Sequence, residues 1–172
     1  MKKYLFLLAF AFSLLISCIS KEKVTTTSST TIYYLIRHAE KDRSDKTNSN
    51  PNLNFEGEKR AQNWANYFKD IQIDAVYSTN YNRTIQTATP TAQTKNLEII
   101  FYNPTRMYDS IFQKDTKGKS VLVVGHSNTT PSFVNKILEE EKYENISDTD
   151  NSKLFIVTIH NDKKTSKVES IN

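Results

Sequence analysis

At 172 residues the chain is long enough for one ordinary domain and short for two. Its 37% apolar and 24% charged residues, with plentiful aromatics, are those of a chain that buries a core, which excludes wholesale disorder. The formal charge of +4 includes Lys2 and Lys3; without that pair it is +2, too small to point to nucleic acid, and no dense basic stripe interleaved with aromatics appears.

The chain opens on Met1-Lys2-Lys3, and Tyr4 to Ile16 is then apolar except for Ser13. A run of that length suits the hydrophobic region of a signal peptide and is short for a membrane span. It ends in Leu15-Ile16-Ser17-Cys18, which contains the sole cysteine of the sequence. This segment resembles a bacterial lipobox, in which the cysteine is lipidated and becomes the first residue of the mature protein. Residues 1–17 are therefore expected to be a signal peptide and Cys18 an acyl anchor to the membrane. Residues 18–30 carry few apolar side chains and read as a flexible tether. The folded domain is expected over residues 31–172. With no second cysteine to pair, its core alone must hold it.

Thr31 to Arg37 is β-branched and aromatic, as a buried strand requires. Lys41 to Asn52 is polar and turn-rich and reads as a loop. Asn54 is a candidate N-cap for a helix over Phe55 to Lys69, where Ala61, Trp64, Ala65 and Phe68 recur at helical spacing. Ile73 to Tyr77 is a short strand. From Asn80 the pattern is helical, with a kink or break expected at Pro90. Leu97 to Tyr102 reads as a third strand and Pro104 to about Gln113 as a short helix. Val121 to Val124 is a continuous branched run, as in a strand buried on both faces. Thr130 as N-cap and Pro131 at the first helical position predict a helix to about Glu140. Leu154 to Ile159 is a last strong strand, with Lys167 to Ile171 expected beside it. Strands alternating with helices predict a single three-layer α/β domain, a mostly parallel sheet with helices on both faces.

Two strands run directly into a histidine. Tyr33 to Ile36 leads into Arg37-His38-Ala39-Glu40, and Val121 to Val124 leads into Gly125-His126-Ser127-Asn128. Ligands of open α/β sheets bind outside the carboxyl ends of the strands, so both histidines should face one crevice. A third strand delivers Ser78-Thr79-Asn80 and then Arg83. A nucleophile or base among fixed cations suits a phosphoryl group, whose oxygens need charge-assisted donors. The helix start after His126 adds backbone N–H groups favourable to an anion. Taken singly, each arginine could be a surface ion pair and each histidine a core residue. The three histidines lack ligand spacing, so no metal site is expected.

These residues resemble the histidine phosphatase superfamily, which includes phosphoglycerate mutases and small phosphohistidine and sugar phosphatases. The family's Arg-His-Gly-Glu is similar to Arg37-His38-Ala39-Glu40, with Ala in the Gly position. Leu53, Gly57 and Ala61 match its following helix start. Ser78, Arg83-Thr84, Gln86 and Thr87-Ala88 match its Ser-x-x-x-x-Arg-Thr-x-Gln-Thr-Ala stretch, and Val121 to His126 matches its late strand ending in Gly-His. The resemblance implies a phosphoglycerate mutase-like fold and a metal-independent, cofactor-free reaction in which His38 attacks phosphorus. It also implies that Arg37, Arg83 and His126 hold the phosphoryl oxygens until water releases phosphate. For the proton donor, family members commonly carry Leu-x-Glu before the late strand; Met107-Tyr108-Asp109 is the nearest match, so Asp109 is the candidate acid. A solvated helix residue is the alternative, and Glu98 and Asp115 are weaker options. Ser78, Asn128 and Thr129 are candidate substrate contacts, although capping alone would explain the last two. Glu40 is expected to order the loop after the nucleophile rather than do chemistry.

The expected function is that of an exported phosphomonoesterase, lipid-anchored in a bacterial cell envelope and monomeric. Its partner would be a small phosphorylated sugar or a cell-envelope phosphate. A mutase of the same fold is an alternative, disfavoured because its usual metabolites are cytoplasmic. A non-catalytic phospholigand-binding lipoprotein is another, for which a nucleophile would be superfluous.

Overall fold

The computed structural model describes residues 29–171. The expected signal peptide, the Cys18 anchor and nearly all of the tether lie outside the described residues. Strand β1 (Thr30–Arg37) is followed by α1 (Phe55–Phe68), β2 (Ala75–Ser78), α2 (Asn82–Lys95), β3 (Ile99–Phe101), α3 (Ser110–Thr116), β4 (Ser120–Gly125), α4 (Thr129–Leu138), β5 (Lys153–His160) and β6 (Lys163–Ser170). The strands form one sheet in the order β3-β2-β4-β1-β5-β6. β3, β2, β4 and β1 run parallel, and the β5–β6 hairpin adds an antiparallel edge. The fold is the mixed α/β single domain that the alternation of elements predicts.

The sheet is apolar on both faces because alternate side chains of the central strands point to opposite sides. Tyr33 and Leu35 of β1 and Val121 and Val123 of β4 pack with Phe112 of α3 and Phe133, Val134 and Ile137 of α4. Ile36, Leu122 and Val124 pack on the other face with Trp64 and Phe68 of α1 and Ala88 and Ala92 of α2. Burying each large side chain in these layers contributes about 1.5–3 kcal/mol.

Three local expectations are corrected. Pro90 does not break α2, which runs through it. A proline inside a helix costs about 3 kcal/mol, but Ala88, Thr91 and Ala92 are buried on either side of it, and that packing keeps the helix continuous. The expected helix from Pro104 to Gln113 is two pieces, a 3₁₀ turn over Pro104–Arg106 and then α3, parted by Tyr108 at φ 56°. Finally, Thr130 is not the cap of α4. It lies inside the helix and its hydroxyl donates to the Ile36 carbonyl (3.2 Å), which ties α4 to β1.

The register of the sheet builds the site. Arg37 lies opposite Gly125 and Ser78 opposite Val124, so β1, β2 and β4 end level with one another. Two glycines permit close approach there. At Gly125 a Cβ would crowd the hydroxyls of Thr130, Tyr102 and Thr129. At Gly57 it would collide with the Glu40 carbonyl oxygen, which accepts from the Asn54 amide (3.0 Å). Gly57→Ala must therefore push α1 from the loop that follows His38, and overpacking of this kind costs about 1–3 kcal/mol. A lowered thermal midpoint should accompany weaker catalysis in that variant, measured by melting and by initial rates.

Candidate active site

His38 follows β1 and is buried. Its backbone N–H continues the parallel ladder to Gly125 O (2.9 Å), and its carbonyl accepts from the Asn151 side-chain amide (2.7 Å). Its Nδ1 lies 2.7 Å from Ala39 O. A carbonyl only accepts, so Nδ1 carries the proton and Nε2 keeps a free lone pair. Burial pushes the His38 pKa down to about 3, with Arg37, His126 and Arg83 adding to the effect and the Ala39 carbonyl opposing it. The imidazole is neutral over the whole physiological range, as a nucleophile must be.

The second histidine faces the first, ring centroids 5.5 Å apart and nearly perpendicular. His126 Nε2 is 2.9 Å from the Thr79 hydroxyl, which donates to Thr84 Oγ1 (3.0 Å). Arg83 Nη2 approaches His126 Nδ1 at 3.4 Å. A guanidinium only donates, which makes Nδ1 the acceptor and places the ring proton on Nε2 toward Thr79. Burial lowers the His126 pKa to about 4, assisted by Arg83, Arg37 and Lys41. Tyr81 frames this corner: its ring lies 5.2 Å from the His126 ring and carries the Arg83 guanidinium 4.6 Å from its centroid.

The two arginines are only partly satisfied. Arg37 donates from Nη1 to the carbonyls of Ser147 (2.6 Å) and Asp150 (3.1 Å), and from Nη2 to the Asp148 carboxylate (3.0 Å). Its Nε has no hydrogen-bond partner, nor do Nε and Nη1 of Arg83. These are three of the five buried side-chain polar atoms left unpaired among the described residues. Buried polar groups are nearly always paired, and guanidinium donors left free in this way are able to bind an oxyanion. The arrangement can hold a phosphoryl group against His38 Nε2 with charge-assisted donors on its oxygens.

The surrounding motif residues hold this geometry. Thr87 Oγ1 accepts from the Ala39 amide (2.9 Å), Gln86 Oε1 from the Leu53 amide (2.7 Å), and Arg60 grips the Glu40 carboxylate (2.8 and 3.0 Å). Glu40 thus orders the loop, as expected. The other candidates are placed less directly. Ser78 is fully buried and its hydroxyl donates to the Thr79 carbonyl (2.9 Å). Thr129 Oγ1 accepts from the His126 amide (3.0 Å), which fixes that histidine, and Asn128 is exposed at the start of α4 with no side-chain capping bond.

Asp109 is not brought to the histidines. It is the N-cap of α3, accepting from the Phe112 amide (2.9 Å), because Phe112 and Tyr108 on either side are drawn into the core. Asp109→Asn keeps a capping oxygen and removes any transferable proton, so its rate on an aryl phosphate should stay within about threefold of the parent, whereas Asp109→Ala should lose about 1 kcal/mol of stability. A large rate loss in the Asn variant would restore Asp109 as the acid. Sequence reasoning missed Asn151, Asp148, Thr79 and Tyr81. Asn151 and Asp148 lie more than a hundred residues from His38 and Arg37, which they respectively bond, and no local pattern marks them.

Comparison with known proteins agrees with this geometry. The sequence model of the histidine phosphatase superfamily (branch 1) matches residues 33–103, from β1 through Arg83 to the end of β3. No curated protein matches the chain by sequence. Among solved structures, phosphoglycerate mutase from Bacillus anthracis is 17% identical at a TM-score of 0.64, over 84% of this chain and 93% of its own. The protein histidine phosphatase SixA, solved with tungstate, is 18% identical at 0.63, over 81% and 96%. A phosphoserine phosphatase from Entamoeba histolytica, solved as a mutant with phosphoserine, is 14% identical at 0.63, over 80% and 95%. At such identities the likeness establishes the fold alone, a mixed α/β domain similar to phosphoglycerate mutase-like structures.

Proposed function

We propose that this chain is a phosphomonoester hydrolase working through a phosphohistidine at His38, exported and held at the bacterial envelope by lipid on Cys18. The observation that carries the reading is a neutral, buried His38 with a free Nε2 among guanidinium donors that the fold leaves unpaired. In the first step Nε2 attacks phosphorus, the P–O ester bond breaks and the departing oxygen takes a proton from solvent water; Arg37, Arg83 and a His126 that gains a solvent proton as the dianion binds stabilise the equatorial oxygens. In the second, water attacks phosphorus, the N–P bond breaks, and phosphate leaves with His38 neutral again. Splitting the hydrolysis in this way replaces one high barrier with two lower ones.

Export rests on the order of lysines, apolar run and lipobox at the N-terminus, and it favours hydrolysis of a small phosphorylated sugar or envelope phosphate over cytoplasmic mutase work. The protein from residue 19 onward should hydrolyse p-nitrophenyl phosphate without added metal. In cells, labelled palmitate should enter the full chain and be lost in Cys18→Ala. Phosphate binding without turnover would instead support a binding lipoprotein, and transfer between sugar positions would support a mutase.

A further inference from the structure

One cation at the site is unexplained by the phosphoryl pocket. Lys41 follows the Arg37-His38-Ala39-Glu40 segment and its backbone is pinned by a bridge to Leu53. Its side chain is half-buried and makes no hydrogen bond or ion pair to another described residue. Burial pushes its pKa below the usual lysine range, and Arg83 and Arg43 push it further. Lys41 and Arg43 line a cleft of about 530 Å³ together with Glu40, Asp148 and Asn151. The cleft opens beside the nucleophile, since the Asp148 carboxylate bonds Arg37 and the Asn151 amide bonds the His38 carbonyl.

The balance of charge decides what fits there. Glu40 is taken up by Arg60, and Asp150 by Lys153 at 3.7 Å. Asp42 turns its carboxylate to the Ser44 amide (2.8 Å), and Asp148 is the carboxylate that acts on Lys41, set against Arg37, Arg83 and Arg43. A phosphoryl dianion neutralises two of the three surplus charges and leaves one. Like charges gathered around a low-dielectric cleft raise the local concentration of anions, and they favour ligands whose charge matches the surplus.

We propose that this cleft is a second anion subsite, in which Lys41 and Arg43 read a carboxylate carried by the same small phosphomonoester that His38 attacks. The inference rests on the phosphatase reading above and narrows its substrate to doubly anionic phosphomonoesters. Arg43, whose Nη2 donates to the Asp148 carbonyl (3.1 Å), holds the far wall of the cleft, and Lys41 supplies the nearer charge.

Matched substrates separate this role from a general contribution to phosphoryl binding. The purified full chain would be assayed on glycerol 3-phosphate against 3-phosphoglycerate, and on glucitol 6-phosphate against 6-phosphogluconate, each pair differing by a carboxylate in place of a hydroxymethyl group. At least one acidic member should show a kcat/KM about tenfold higher, the effect of about 1.4 kcal/mol. Lys41→Gln should erase that preference mainly through KM, with less than about threefold change on the member that lacks the carboxylate, and Lys41→Arg should restore much of it. Equal rates within both pairs would overturn the subsite while leaving the phosphatase reading intact. An equal loss on all four substrates in Lys41→Gln would instead place Lys41 on the transferring phosphoryl group and also overturn it. If the wild type hydrolyses none of them, nor p-nitrophenyl phosphate, the phosphatase reading fails and takes the subsite with it.

Discussion

His38→Ala is expected to lower turnover of an aryl phosphate by roughly 10⁴-fold or more, with no change in the fold, because removing a covalent nucleophile removes the reaction path itself. The side chain's one bond within the protein is to the neighbouring Ala39 carbonyl, so its removal should disturb little else. An acid-labile, base-stable phosphoryl label should be trapped on the parent during turnover and be absent from the variant. A variant that keeps activity or label would remove His38 from the reaction. The pH dependence carries a matching signature. With its pKa at about 3, His38 stays neutral down to about pH 4, so an acid limb of kcat/KM centred at about pH 6 belongs to the substrate's own phosphate ionisation rather than to His38. Stability moves in the same direction. Both His38 and His126 bind a proton less readily when folded than at the ordinary value of 6.5, so the unfolded chain takes up more protons as pH falls. The stability they contribute is fully present above about pH 6.5 and is lost progressively toward pH 4 and 3, and the melting temperature should fall across that window.

The parts of this site that the sequence discloses are those set by a single strand and the residues just after it. A branched run ending in Gly125-His126 and another ending in Arg37-His38 need only be parallel neighbours for the two rings to meet, and the register that pairs Arg37 with Gly125 does this. Arg83 follows for the same reason, since β2 ends level with them and α2 begins within a turn. What the sequence hides depends on contacts between distant segments. Asn151 acts through the His38 carbonyl and Asp148 through the Arg37 guanidinium, and both lie in a turn-rich stretch that could have gone anywhere. Short polar residues are the hardest to assign: Ser78, Asp109 and Thr130 each bond a backbone group, Thr130 from inside α4 rather than as its cap. Such groups compete locally for turns and caps before any pocket is formed.

Arg83→Ala should bring the second large loss, about 10²–10³-fold in kcat/KM, since each preorganised donor to a developing oxyanion is worth that much. Its guanidinium is anchored by the face of Tyr81 and by one long contact to His126, while Nε and Nη1 bond nothing in the protein. Its removal should therefore leave the melting temperature nearly unchanged, or raise it slightly as repulsion with Lys41 and the histidines is relieved. Arg83→Lys should recover only a small part of the rate, because an ammonium supplies the charge without the planar fork. Arg37 makes the contrast that tests this division. Three of its bonds go to the segment from Ser147 to Asp150, so Arg37→Ala should lose activity and stability together, leaving two carbonyls and the Asp148 carboxylate without their donor. Measured side by side, rate and melting temperature should part company in the Arg83 variant and fall together in the Arg37 variant. Equal destabilisation of the two would mean that Arg83 is held for the fold rather than for the phosphoryl group.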